Sequence, residues 1–421
     1  MIADATLERV LARRTVALLG DLIRAALWGA VIVVWVVFAQ IYARMYMLTL
    51  EDPSHSDFTI FYFTARLVAD GLPMYGASPA RYGIEWAGDH LGNLNPPHFQ
   101  LLVQPLAALA YGRAYTVWTA VNAAALLASI IAIARALNLE LTWRRIVVGG
   151  AIVMSAAPFT MVAITSEWSF LLMLPAALAW ASARRQQWTR AGVWLGLCVS
   201  LKLFFLVFVP WLAVRRHWAA LTSMACAAAA AMTVGLLVYG PETYAAWLQT
   251  LGKVGWWWLP MNASWHGFVS RVFQGGATVQ AVYELPAVVG PAGFAGALAI
   301  CATSLWTVRR LDGDAVRVDV AFLALTQAAL LASPLGWVYY MPLLLAPLVG
   351  VLCSGVWRLL STRELLAIGA LGTGLYLSLE QVSSGQPSRL VSATLASTYF
   401  WSALALWVGG LALARRVPQC T

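Results

Sequence analysis

Long apolar runs, separated by short clusters of arginine, constrain this chain more than any other feature. A run of about 20 residues covers roughly 30 Å as a helix, the thickness of a bilayer's hydrocarbon core. With 61% hydrophobic and only 11% charged residues, the chain has about half the charged share of a water-soluble domain. The pattern predicts an all-α integral membrane protein, a polytopic fold of about 10 to 13 transmembrane or re-entrant helices. It reads as one domain over 1–421, with a basic N-terminal segment at 1–24 and two polar loops at 49–97 and 240–285.

The basic residues orient that domain. If the loop carrying Asp57 is placed outside, all of the 27 lysines and arginines fall inside except Arg44, Arg66, Arg81, Arg113, Lys202, Lys253, Arg271 and Arg389. Such asymmetry is the positive-inside signature of a cytoplasmic membrane protein, here with both termini cytoplasmic and the working face extracytoplasmic. A first helix over 25–42 leads out to the 49–97 loop. After Pro96 and Pro97, the run 98–110 is too short to span and predicts a half-helix that dips in and returns. Helices follow over 115–134, 146–163 and 168–183. The run 191–214 has basic clusters at both ends and Lys202 in its middle, so it predicts a hairpin of two short helices with Lys202 at the outer tip. Further helices are expected over 218–238, 286–308, 318–332, 336–353, 364–379 and 395–414.

Several chemistries are excluded. The positive charge sits at helix ends, where the lipid surface accounts for it, so no nucleic-acid partner is expected. Cys198, Cys226, Cys301, Cys353 and Cys420 form no disulfide or zinc framework, and His55, His90, His98, His217 and His266 show no metal-ligand spacing. There is no glycine-rich phosphate loop, so no nucleotide or other cofactor is expected.

Two residues carry chemical suggestion on their own. Asp57, directly after the first crossing, could act as a general base or be a solvated loop acid. Lys202 places an ammonium in an apolar run, where an anionic partner is expected, either a ligand's phosphate or a structural pair with Glu167. The run Trp256 to Trp258 fits an interfacial anchor and also a surface for stacking a sugar.

The motifs, in order, are Asp57-Phe58 through Tyr62; Asp70-Gly71-Leu72-Pro73-Met74-Tyr75; Asn95-Pro96-Pro97-His98-Phe99; Lys202 with Pro210 and Arg215-Arg216-His217-Trp218; Asn262-Ala263-Ser264 with Gly267, Phe268 and Arg271; and Ser333-Pro334 with Trp337 and Tyr340. Together they resemble glycosyltransferase family 87, the polyprenol-phosphate-mannose-dependent mannosyltransferases of the GT-C superfamily. The resemblance implies an inverting, metal-independent hexosyltransferase that draws sugar, mannose above all, from a polyprenyl-phosphate donor and passes it to a lipid or glycan acceptor. It implies Asp57 as the base; Lys202, with one or more of Arg66, Arg271 and Arg389, is expected to neutralise the donor phosphate as it leaves. Glu167, Asn262, His266, Trp337, Tyr339, Tyr62 and His98 are the implied substrate-binding positions. This chain differs from the family pattern at Ser166-Glu167, at Leu203 after the lysine, and at Tyr339, where the family often has histidine. A glycolipid transporter or flippase, an inactive binding subunit, or an enzyme using another lipid-linked sugar such as arabinose are the alternative readings.

Overall fold

The computed structural model describes residues 2–76, 82, 92–383 and 388–418, with side chains from position 19 onward. Arg81, His90 and Cys420 lie outside the described residues. Among the described residues there is no β-strand, and 6 helices are long and apolar enough to cross a membrane, or up to 7 if a bent pair counts as one span. Shorter apolar helices fill the spaces between them.

Helix α1 (Ile2–Glu51) is continuous from the basic N-terminal segment through the expected first span. Leu27, Ile32 and Val33 along it are exposed, as suits a lipid-facing helix. It stops where Pro53 removes a backbone donor and Asp52 caps the next turn through Ser54. The segment expected to be a polar loop contains helix α2 (Phe58–Ala69), whose Phe58, Phe61, Tyr62 and Ala65 are buried. A 12-residue amphipathic helix has too little apolar length to register as a span, yet enough aromatic surface to pack. Phe58 stacks on Trp118 at 5.5 Å.

The run 98–110 forms short helical turns and does not span. Gln100 and Gln104 donate to the carbonyls of Phe61 and Ala65 and so bind these turns to α2. Helix α3 (Tyr111–Leu137) follows. The single helix expected over 146–163 is instead two, α4 (Trp143–Met154) and α5 (Ala157–Thr165), bent by 80°. The cause is Pro158, which can neither donate to Met154 nor fit its ring beside that carbonyl in a continuous helix. The freed Met154 carbonyl accepts from Tyr42 at 2.6 Å and from Thr160 at 2.8 Å.

Helix α6 (Ser169–Arg184) leads to α7 (Trp188–Leu201) and α8 (Leu203–Val214), which meet at Lys202 in extended backbone. Trp188, at the start of α7, stacks on His217, just past α8, with ring centroids 3.6 Å apart. The two ends of the segment are therefore adjacent, and 188–217 is the expected hairpin with Lys202 at its tip. Helix α9 (Trp218–Leu251) lies against α7 because Gly192 and Gly196 have no side chains. A Cβ at Gly196 would sit 2.3 Å from the Met224 carbonyl oxygen. Within α9, Gly240 at φ 77° and Pro241 break the helix. Tyr244 donates to the Met232 carbonyl at 3.1 Å, so the chain past Gly240 folds back along the helix it has left.

Helix α10 (Trp265–Phe273) precedes α11 (Val289–Val308) and α12 (Ala315–Ala332). Helix α12 is buried along nearly its whole length. Its Asp319 pairs with Arg184 and accepts from Trp180 Nε1 at 2.8 Å, which satisfies a buried carboxylate that would otherwise be costly. The helix expected over 336–353 begins as a 3-10 segment at Val338–Leu344, which contains Pro342, and becomes α-helical only in α13 (Leu345–Ser354). Helix α14 (Thr362–Gly372) and helix α15 (Thr398–Arg416) complete the chain.

The contact at Gly196 gives a direct test of the hairpin packing. Gly196→Val forces a branched side chain into the Met224 backbone, and overpacking of this kind costs about 1–3 kcal/mol. Thermal unfolding in detergent should show a clear fall for this variant. Gly149→Ala, where a Cβ meets nothing within 4 Å, should melt close to wild type.

Candidate active site

Three turns converge on one cavity of about 510 Å³. They are the α1–α2 turn with Asp57, the α5–α6 turn with Glu167, and the tip of the α7–α8 hairpin with Lys202. The extended stretch before Pro96 and the segment 333–340 close the other sides. One wing of the cavity is apolar, lined by Phe204 and Val207 of α8, Cys301 of α11, and Ala329 and Ala332 of α12.

Asp57 is placed by its neighbours' backbone. Its own N–H donates to the Thr165 carbonyl at 2.8 Å, and Ser56 Oγ donates to the same oxygen at 2.7 Å. Those two bonds tie the start of α2 to the end of α5. Asp57 lies outside the spanning helices, and burial pushes its pKa up to about 7, opposed by a hydrogen bond with Thr165. Near neutral pH it can therefore both hold and release a proton.

Glu167 is 3% exposed. It follows Ser166, which adopts a left-handed backbone at φ 52° and is held by Trp118 Nε1 donating to its carbonyl at 2.8 Å. The Glu167 carboxylate accepts from Ser169 N–H at 2.6 Å and from the Ser169 hydroxyl, so it caps the first turn of α6. Burial raises its pKa, and the nearby Lys202 charge opposes that rise.

Lys202 Nζ donates to Asn95 Oδ1 at 3.0 Å. The ammonium also faces the rings of Trp168 and Tyr340, at 4.9 and 5.2 Å from their centroids, a favourable cation–π setting. No ion pair joins it to Glu167, whose carboxylate is turned to Ser169. On the wall formed by residues 256 and 337–340, Trp337 stacks on Trp256 at 5.4 Å with planes 13° apart, and Tyr339 lines the cavity beside them.

Asn262 stands behind this wall. Its amide donates to the Pro334 and Trp257 carbonyls at 2.9 and 3.0 Å, and its Oδ1 accepts from Gly336 and Ser264 N–H. It thereby fixes the turn that presents Trp337. Arg271 is wholly buried further back, with Nη1 donating to the Leu259 and Asn262 carbonyls at 3.0 Å and Nε to Ser397.

Arg66 donates to the Ala107 carbonyl at 3.2 Å, and Arg389 is exposed on a short helix; neither lines the cavity. Tyr62 donates to the Leu109 carbonyl, His98 pairs with Tyr244 at 3.1 Å, and His266 packs edge-on to Trp257 at 4.7 Å. These three also lie off the cavity wall. Of the expected positions, the structure brings together Asp57, Glu167, Lys202, Trp337 and Tyr339. It adds Asn95, Trp168, Trp256 and Tyr340. Asn95 and Tyr340 lie in the ordered motifs and Trp256 in the tryptophan run of the sequence, whereas nothing there marks Trp168, whose contact with Lys202 depends on tertiary folding. Among the described residues no His, Cys, Asp and Glu side chains are grouped to hold a metal ion.

A family model described as glycosyltransferase family 87 matches residues 93–334, more than half of the chain. A relative from Mycobacterium tuberculosis (strain ATCC 25618 / H37Rv) is named polyprenol-phosphate-mannose-dependent alpha-(1-2)-phosphatidylinositol mannoside mannosyltransferase. It is 24% identical over 389 residues, which cover 88% of this chain and 88% of the relative. A protein of the same name from Mycolicibacterium smegmatis (strain ATCC 700084 / mc(2)155) is 24% identical over 318 residues, covering 70% of this chain and 69% of that one. No solved structure matches.

The raised pKa of Asp57 has a consequence for stability. An unfolded aspartate ionises near 3.8 while the folded one holds its proton to about 7, so the native state binds more protons in that window and loses stability as pH rises through it. Asp57→Asn has no such dependence. It should melt at or above wild type at pH 8, with the difference shrinking toward pH 4. A variant that melts well below wild type at pH 8 would show that Asp57 is held ionised in a stabilising pair.

Proposed function

The chain belongs to glycosyltransferase family 87 and is a membrane glycosyltransferase, and we propose that it transfers mannose from a polyprenyl-phosphate donor to a lipid-borne acceptor. The observation that carries this reading is the placement of a carboxyl group that titrates near neutrality and an ammonium that makes no ion pair on one cavity with an apolar wing. The apolar wing suits the first isoprene units of the donor. The names of the two relatives support mannose as the sugar and a glycosylated phospholipid as the acceptor.

In the proposed reaction Asp57 takes the proton of an acceptor hydroxyl as that oxygen bonds to the anomeric carbon. The bond between that carbon and the phosphate oxygen breaks on the opposite side, and its electron pair leaves with the polyprenyl phosphate. One displacement of this kind inverts the anomeric configuration and needs neither a metal nor a cofactor. Lys202 neutralises the phosphate as its charge grows, an interaction that strengthens toward the transition state. The Trp337–Trp256 pair offers an aromatic face on which a sugar ring can pack. Glu167 is a buried acid that holds the α5–α6 turn and sets the field around Lys202.

The reading is tested with purified protein supplied with polyprenyl-phosphate mannose and a phosphatidylinositol mannoside acceptor. Asp57→Asn should lose a factor of about 10² to 10⁴ in turnover, the usual range for a general base, with donor affinity retained. Wild-type turnover should rise with pH through about 7, since the base works only when ionised. Near wild-type turnover in Asp57→Asn, or an activity that falls as pH rises through 7, would contradict the assignment.

We further place the cavity on the extracytoplasmic face, with both termini cytoplasmic. The support is that Arg184, Arg185, Arg215 and Arg216 lie at the end of the α7–α8 hairpin remote from Lys202, as the positive-inside rule requires. In a background lacking the native cysteines, Leu203→Cys should react in whole cells with an impermeant thiol reagent and Gln186→Cys should not. The reverse pattern would invert the topology.

A further inference from the structure

The partner of Lys202 is an amide, although a cation among apolar helices is ordinarily matched by a carboxylate. Asn95 Oδ1 accepts from Lys202 Nζ at 3.0 Å and from Trp168 Nε1 at 3.2 Å. Both lone pairs of the amide oxygen are thereby used, and the two donors fix which end of the amide faces the ammonium. Asn95 has little freedom to move. It is 4% exposed, its N–H donates to Asn93 Oδ1 at 3.0 Å, and its carbonyl accepts from the Tyr75 hydroxyl at 2.5 Å. Pro96 and Pro97 restrict the backbone that follows. The ammonium also lies over the rings of Trp168 and Tyr340, which are polarisable and uncharged, and the Glu167 carboxylate is near enough for the two charges to interact although no ion pair joins them.

We propose that Asn95 is a positioning residue whose neutrality matters: it aims Lys202 into the cavity and, because it adds no second carboxylate to the nearby Glu167, leaves the ammonium free of an ion pair for the phosphate of an isoprenyl phosphate. The inference rests on the reading of Lys202 given above. Aspartate at 95 has nearly the same shape and could accept the same two hydrogen bonds, so a purely structural Asn95 would tolerate it. A carboxylate there would instead form a charge-assisted pair with Lys202, cancel its charge, and repel an incoming phosphate. The two roles thus predict opposite outcomes for one conservative change.

The test measures binding of a short-chain isoprenyl monophosphate, and of the uncharged isoprenyl alcohol of the same length, to the purified full-length protein in detergent. Wild type, Asn95→Asp and Lys202→Met are compared, with the melting temperature of each recorded without ligand. Asn95→Asp should melt at or above wild type, bind the monophosphate at least about ten-fold more weakly, a change of about 1.4 kcal/mol, and bind the alcohol as wild type does. Lys202→Met should show the same selective loss. If Asn95→Asp binds the monophosphate normally while Lys202→Met does not, the role given to Asn95 is wrong and the reading of Lys202 stands. Normal monophosphate binding by Lys202→Met overturns both. Equal loss of phosphate and alcohol in Asn95→Asp, with a lowered melting temperature, makes Asn95 structural and also overturns the inference.

Discussion

A single ammonium placed between apolar helices is the constraint around which this protein is arranged. A lysine at the centre of a membrane helix costs about 2.5–3.5 kcal/mol on insertion scales, and the chain accommodates Lys202 by breaking the helix at that residue. The break makes a hairpin of α7 and α8, and the hairpin requires its two ends to meet, which Trp188 and His217 do by stacking. It also requires α7 to lie close against α9, which the bare backbones of Gly192 and Gly196 permit. Trp168, Tyr340 and Asn95 then hold the ammonium, and the nearby Glu167 carboxylate makes no ion pair with it.

The acids are handled differently at the two ends of the molecule. Asp319 and Asp312, remote from the cavity, are matched by Arg184, Arg215 and His217. Asp57 and Glu167 have no arginine partner: Glu167 accepts from Ser169 and feels the Lys202 charge, while Asp57 has only a hydrogen bond with Thr165 against its burial. Burial without a counter-charge raises a carboxyl pKa, and that is what makes Asp57 usable as a base near neutrality. The folding cost of leaving Asp57 unpaired and the chemistry proposed for it have one physical origin.

Much of this was legible in the sequence where charge marked it. Basic clusters on both sides of 191–214 required a hairpin, and the short run after Pro96 and Pro97 could not span; both features are present. Continuous helices were expected wherever apolar residues ran on, and proline interrupted them, at Pro158 between α4 and α5 and at Pro342 before α13. Helix α2 went unseen because its apolar face is aromatic and short, inside a stretch read as a polar loop. Among the candidate site residues, Asp57, Glu167 and Lys202 stood out as charges beside apolar runs, and they share the cavity. Arg66 and Arg271 stood out by the same rule, yet their guanidinium groups bind backbone carbonyls away from it. Sequence shows that a charge is present in an apolar setting. Which neighbour satisfies that charge depends on tertiary contacts.

The central claim is that Asp57 and Lys202 act on opposite sides of one donor bond within this cavity. The most direct measurement is an electron cryomicroscopy structure of the Asp57→Asn protein with polyprenyl-phosphate mannose bound. The account predicts the phosphate in contact with Lys202 Nζ, the isoprene chain along Phe204, Val207 and Cys301, and the anomeric carbon turned toward position 57. A phosphate bound elsewhere, for example beside Arg185 and Arg190 at the other end of the hairpin, would contradict it.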